Sequence, residues 1–547
     1  MNARRWAATC LAAAMLTIQA PALAAEAPLK TVEVHVDPRI ELASTILALT
    51  PWAKDNGDLA TSAYAAEAQA AFAKHTRHPA VFAVNEWLNS EQGDMGALVR
   101  LALVLNSDLA GSSSAPMDLA GEFGGTEQAE RLLGLMGQFA TDTSFMTFFQ
   151  AHATTYSKLE AQIGPALMKA NPAGRLEGYF GTGFDRYQVL LAPLAPKVGY
   201  SWAIASEPTG VPTVVVRAEG VTKDKQPDFK ETSLDFTRAV RQGLGRAFVA
   251  PLGAKYALDL SQSAGLMTPI ADDMKANQCG DWQEAFDEHL VRAIDARFMQ
   301  EDGAGKEAQL ALRSNERAGF AYIRGMFDQL ADYETNRKGY ANMDVFVPNI
   351  VAKLSYLKDT GADQDVAKRS STFQGPLGRA FDKRYLSSTV IVRPTPTDPK
   401  LKAALTAYVQ TVKETFKKRY HKDAVVVSPE EAARLNPAET SYLILGTPWS
   451  NPFLAALIKY IPLKVTKNNI ALGGKQFLGS GLRLATAFPN PYNPKLPMQI
   501  LTSTEDSGIQ GIFTLPVGPY DYAVFHGDQA IAQGDYVYDL KGKWSVP

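Results

Sequence analysis

A chain of 547 residues has room for two or three domains, and 46% hydrophobic against 20% charged residues is ordinary globular material. The formal net charge of −2 carries no basic excess, which argues against nucleic-acid binding. Two cysteines, one of them inside the leader described next, exclude a disulfide framework.

Residues 1–24 read as a secretory signal. Arg4 and Arg5 give the positive start, Trp6 to Ile18 a short apolar core, and Ala22-Leu23-Ala24 an A-x-A cleavage site. The apolar run is too short and too close to the cut for a membrane span. The mature chain is thus expected in the periplasm or outside the cell, with Cys279 alone. That cysteine is either a small buried apolar residue, the favoured reading, or a lone thiol.

From Thr31, Val32, Val34 and Val36 alternate with Thr31, Glu33 and His35, the pattern of a half-buried strand ended by Pro38. Three- and four-residue apolar spacing then predicts helices over 41–49, 64–72, 80–88, 95–105, 126–139 and 145–167. His78 precedes a proline at a helix start and reads as structural. Residues 112–117 read as a loop, and strand-like text returns at 187–191, 200–204 and 213–217.

The first part is organised around Ser233 to Pro251, SLDFTRAVRQGLGRAFVAP. Phe236, Val240, Leu244 and Phe248 recur every four residues and form one apolar stripe on a helix. Ser233 is the expected N-cap, and Pro251 stands just beyond the expected end. Arg238, Arg241, Gln242 and Arg246 take the other side. Gly243 and Gly245 cost about 1 kcal/mol each relative to alanine, which points to close packing there or to a different residue in the past. Helices follow at 281–299, 308–333 and 350–356, and the first domain is expected to span 25–386.

After Thr389 strands and helices alternate: VIVRP, a helix over 399–420, AVVVS, a short helix, SYLILGT, a helix over 451–460, then MQILTST and YAVFHG. Continuous apolar strands predict an α/β domain over 387–547, its sheet mostly parallel and covered on both faces. No GxGxxG or P-loop follows a strand, so nucleotide binding is unsupported. Gly473-Gly474 and Gly479-Ser480-Gly481 read as turns.

QGLGRAFVAP (Gln242 to Pro251) and DEHLVRA (Asp287 to Ala293) together resemble a secreted bacterial family of unknown function similar to gluzincin-type zinc peptidases. There the two helices read roughly HEFxHxFVNP and NEHLVRA. The resemblance implies an α+β, zincin-like first domain, mostly helical, with a small sheet backing the active-site helix. It also implies zinc ligands at positions 242, 246 and 288, with a general base at 243. Here those positions hold Gln242, Arg246, Glu288 and Gly243, and only Glu288 keeps its type. No pair among the seven histidines has the HxxxH or HxxE spacing that would rebuild the site. Zinc is therefore expected to be lost. Arg238, Arg241, Arg246 and Glu288 become the candidate binding residues, with Arg246 in salt-bridge reach of Glu288 as a replacement for the metal charge. Gly446 to Asn451 and Phe488 to Pro491 likewise resemble an α/β module found beside secreted peptidases and esterases.

Serine-hydrolase chemistry finds no GxSxG elbow, and His526 has no nucleophile to serve. The expected function is an exported, peptidase-like protein without zinc catalysis that binds a peptide or other anionic ligand, or a partner. The alternative is an active peptidase or esterase whose residues these motifs do not reveal. Neither a nucleic-acid partner nor a membrane span is expected.

Overall fold

The computed structural model describes residues 28–546 except 57–58, 91–92, 110, 113, 197–209, 371, 374, 376, 378–384, 386–387, 421, 514, 516–519 and 539–543. The signal segment, the strand-like text at 200–204 and the expected boundary at 386–387 lie outside the described residues. The architecture is α+β, with helices dominating the first part and a large sheet the second.

Three parallel strands back the helical part. β1 (Glu33–Val36) and β3 (Thr213–Arg217) flank β2 (Gln188–Ala192). Parallel neighbours need a crossover, and between β1 and β2 it takes the whole helical run from α1 (Pro38–Leu49) to α5 (Pro172–Phe180). Pro38 does more than end the strand. It opens α1, where its missing N–H is an orphan anyway, and the Asp37 side chain accepts from Arg39 N to cap the turn. Between these lie α2 (Ala63–Phe72), α3 (Thr126–Asp142) and α4 (Ala153–Ala170).

Two long helices expected from periodicity are each broken in two. The 145–167 run breaks at His152, whose Nδ1 lies 2.8 Å from Phe148 O while its backbone N–H turns to Phe149 O. The ring thus occupies the carbonyl that the next helical turn would have used. The 308–333 run breaks at Gly319, where φ is +103°, leaving Gly305–Arg317 and Ile323–Thr335 on either side.

At the centre, α6 (Leu234–Lys255) packs along α7 (Trp282–Glu301). Ser233 caps α6 as expected, its Oγ accepting from Phe236 N at 3.1 Å. The expected stop at Pro251 fails, and the helix runs through it for another turn. Proline removes one backbone bond, yet the added turn brings Gly253 against α7. A Cβ at 253 would stand 2.1 Å from Asp287 Oδ1, so any larger residue would force the Asp287 carboxyl to move. At Gly245 close packing is not the reason for glycine. A Cβ there would meet Leu176 and Val291 at 3.8 and 3.9 Å, ordinary contact, beside a small void that Phe180 and Val249 also line.

The main core draws its buried residues from Val36 to Leu354. Two further cores lie on the faces of a second, seven-stranded sheet. Its strands are β4 (Thr389–Val392), β5 (Val425–Val427), β6 (Ser441–Leu445), β7 (Leu482–Asn490), β8 (Asn493–Ser503), β9 (Tyr522–His526) and β10 (Gln529–Gly534), in the order β10-β9-β7-β8-β6-β4-β5. Four neighbours, β8, β6, β4 and β5, are parallel, while β7, β9 and β10 join antiparallel. The sheet is mixed rather than mostly parallel, because short turns join β7 to β8 and β9 to β10 and a short turn reverses direction. A helix over Pro399–Tyr420, α8, covers one face, and α9 (Pro452–Leu457) the other.

Gly473 and Gly474, at φ +55° and +93°, form the two-residue turn of a hairpin, as expected. Arg317 links the two parts, its Nη2 2.8 Å from both Asp521 Oδ2 and Asp535 Oδ1. Among the described residues no helix is long and apolar enough to cross a membrane.

Candidate functional site

Two charge clusters join α6 to α7. In the first, Arg246 presents its fork to Glu288, with Nε–Oε1 at 2.5 Å and Nη2–Oε2 at 3.0 Å. Arg292, one turn further along α7, also donates to Glu288 Oε2, and its guanidinium stands 4.0 Å from the Phe320 ring centre. Burial alone would raise the Glu288 carboxyl. Arg246 and Arg292 outweigh it and hold the group well below the usual carboxylate range, so it is ionised near neutral pH.

The second cluster was not legible in the motif. Arg238 and Arg241 do not face Glu288; they converge on Asp295, seven residues further along α7. Arg241 reaches Asp295 Oδ1 through Nε at 2.8 Å and Nη2 at 2.5 Å, with both side chains 2% exposed. Arg238 Nε reaches Asp295 Oδ2 at 2.9 Å, and Gln242 Nε2 donates to the same oxygen at 2.8 Å. Gln242 is therefore turned away from Glu288, and Gly243 is buried without a side chain to offer. A seven-residue step returns to the same face of a helix, and DEHLVRAID carried that signal for Asp295.

Three neighbours complete the site. Cys279 is buried and free, and burial pushes its thiol up to about 12, so it is not a nucleophile at neutral pH. His289 is fully buried against Trp282, Phe320 and Tyr322, with Nδ1 2.6 Å from Ala285 O. Burial lowers it to about 4, so the ring is neutral at physiological pH. Asp287 is the unexpected member. Its Oδ1 is buried with no hydrogen-bond partner, and burial first, then Glu288, Asp281 and Glu284, push the carboxyl up to about 8.

These residues do not fit a zinc ion at positions 242, 246 and 288. Both Glu288 oxygens are taken by guanidinium groups, Gln242 is committed to Asp295, and arginine offers no lone pair. Among the described residues no group of three or more His, Cys, Asp or Glu is placed to hold a metal ion. His78 caps the Pro79–Leu88 helix, its Nδ1 accepting from Ala80 N at 3.1 Å, the structural role expected.

The Arg246–Glu288 pair is partly screened, with side chains 22% and 17% exposed, and Arg292 would still hold Glu288 in its absence. Arg246→Met is therefore expected to reduce stability by about 2 kcal/mol, between the surface and buried limits for ion pairs. Urea unfolding with an unchanged m value checks this, and a loss below about 0.5 kcal/mol would show the pair to be idle.

No curated protein and no solved structure is significantly similar to the chain. One family model matches residues 32–353, more than half of the chain and the whole of both α6 and α7, and the chain belongs to that family, described as Domain of unknown function (DUF4932).

Proposed function

We propose that this is an exported, peptidase-like protein that has lost zinc catalysis. In this reading it binds a peptide or other anionic ligand, or a partner, in the cleft between α6 and α7, and residues from 387 onward form a second unit. The observation that carries the reading is the state of Glu288, whose two oxygens are held by Arg246 and Arg292. A catalytic zinc site needs three protein ligands and an open position for water, and a carboxylate clamped by two arginines supplies neither. Two fixed positive charges around one negative charge leave a surplus that suits an anion. Arg246 remains 22% exposed and thus reachable from solvent.

Metal analysis by mass spectrometry on protein purified without added metal tests the loss. Zinc is expected well below one equivalent, and a chelator is expected to leave the melting temperature unchanged. One full equivalent of zinc would overturn the proposal.

Asp287 favours a second reading, an active peptidase or esterase. A carboxyl pushed up to about 8 is protonated near neutral pH and is suited to donate a proton. A protease and esterase screen separates the two readings. Turnover that disappears in Asp287→Asn would support the hydrolase, and no turnover on any substrate would favour the binding protein.

A further inference from the structure

The second sheet contains a feature that the cleft does not use. The chain leaves β4 towards β5, with α8 on one face, and leaves β6 in the other direction, with α9 on the opposite face. Adjacent parallel strands whose connections diverge in this way open a crevice outside their carboxyl ends, where open α/β sheets bind ligands. The loops after β4 (393–398), β6 (446–451) and β8 (504–508) meet there. Gly446, at φ +114°, brings the β6 loop onto the β4 loop so closely that a Cβ would come within 2.9 Å of Pro394 Cγ.

Four side chains at this junction are fixed together. The Thr447 hydroxyl donates to Asp506 Oδ1 at 2.5 Å, and Trp449 Nε1 donates to Asp506 Oδ2 at 3.1 Å. Ser450 Oγ lies 2.8 Å from Thr447 Oγ1. The indole is thus anchored by its N–H while the residue stays 41% exposed. A fixed aromatic ring left in solvent on a loop contributes little to the core, and its anchoring presets a stacking surface.

We propose that this junction binds a sugar ring of a neutral oligosaccharide, with Trp449 as the stacking plate and Asp506 as an acceptor for sugar hydroxyls. The apolar C–H face of a pyranose matches the indole, and its hydroxyls match a carboxylate with lone pairs to spare. An anionic ligand fits poorly, because the same loops carry Asp398, Glu505 and Asp506, and Arg393 is turned to Thr406 of α8. This site is independent of the α6–α7 cleft.

The test titrates the full mature chain with cellotetraose, maltotetraose and an N-acetylglucosamine tetramer, followed by calorimetry and tryptophan fluorescence. At least one is expected to bind at millimolar concentration or better. Trp449→Ala is expected to weaken that binding about tenfold or more, with an unchanged melting temperature. Trp449→Phe keeps a ring and is expected to retain part of the affinity, which separates stacking from any loss of fold in the alanine variant. Binding of none of the three, or equal binding by Trp449→Ala, overturns the proposal. A Trp449-dependent response to tetramethylammonium with none to the sugars also overturns it, since the ring would then serve a cation.

Discussion

Asp295→Asn is expected to lower the unfolding free energy by about 3–5 kcal/mol, the largest effect of any single change at the helix pair. Arg241 is 2% exposed, and Asp295, equally buried, accepts from its Nε and Nη2 at 2.8 and 2.5 Å. Asparagine keeps the shape and loses the charge, so a buried guanidinium keeps only Asp302 as its counterion. That carboxylate lies 3.4 Å away, is 35% exposed and is shared with Arg175. Arg238, at 23%, can turn to solvent, but Arg241 has no such exit. Urea unfolding with a constant m value measures the loss. A companion variant, Arg241→Met with Asp295→Leu, removes both charges and is expected to recover much of it, because an apolar replacement of a buried pair is often neutral. A loss under about 1 kcal/mol in Asp295→Asn would place the pair among surface contacts.

That pair also marks the limit of what the sequence discloses. The cap at Ser233 and the apolar stripe of α6 follow from spacing within one helix, whereas the pairing of Arg246 with Glu288, which lie on different helices, followed from the resemblance that sets both positions around one metal ion. The seven-residue step from Glu288 puts Asp295 on the same face of α7, but its partners are set by how α6 lies along α7, and that register is not written in either helix. Pro251 misled for the same reason. Its local signal is a helix stop, and the packing of Gly253 on Asp287 overrides it. The direction of β7 against β8 rests on the short turn between Asn490 and Asn493, whereas apolar content alone suggested a parallel neighbour. His152 and Gly319 broke helices whose apolar periodicity continued through them.

Glu41 is the strongest case of a residue whose environment the sequence conceals, and it contributes to the pH dependence of the fold. An acid in the first turn of a helix reads as a solvated partner of the helix dipole. Here α1 is buried on nearly every side and takes Glu41 with it, at 0% exposure. Tyr64 donates to its Oε2 at 2.7 Å and Leu194 N to its Oε1 at 3.4 Å, while Tyr64 and Tyr156 share a hydroxyl contact at 2.8 Å. Burial pushes the carboxyl from 4.5 up to about 8, against the smaller opposing pull of those two bonds. In the unfolded chain Glu41 releases its proton near its ordinary value, whereas the folded chain keeps it until about pH 8. The folded state therefore binds more protons between those limits, and stability falls as pH rises. The contribution is fully present below the unfolded value and lost by the time pH passes the folded one. At 1.36 kcal/mol per pH unit, the rise from 4.5 to about 8 amounts to roughly 5 kcal/mol, of which roughly 4 falls above pH 5. Glu41→Gln is neutral at every pH and removes it. Relative to the parent chain, this variant is expected to gain roughly 4 kcal/mol between about pH 5 and about pH 9. Groups that titrate elsewhere in the fold cancel in the difference between the two proteins. A difference that stays constant across the range would mean Glu41 is ionised in the fold, with a counter-charge to hold it there.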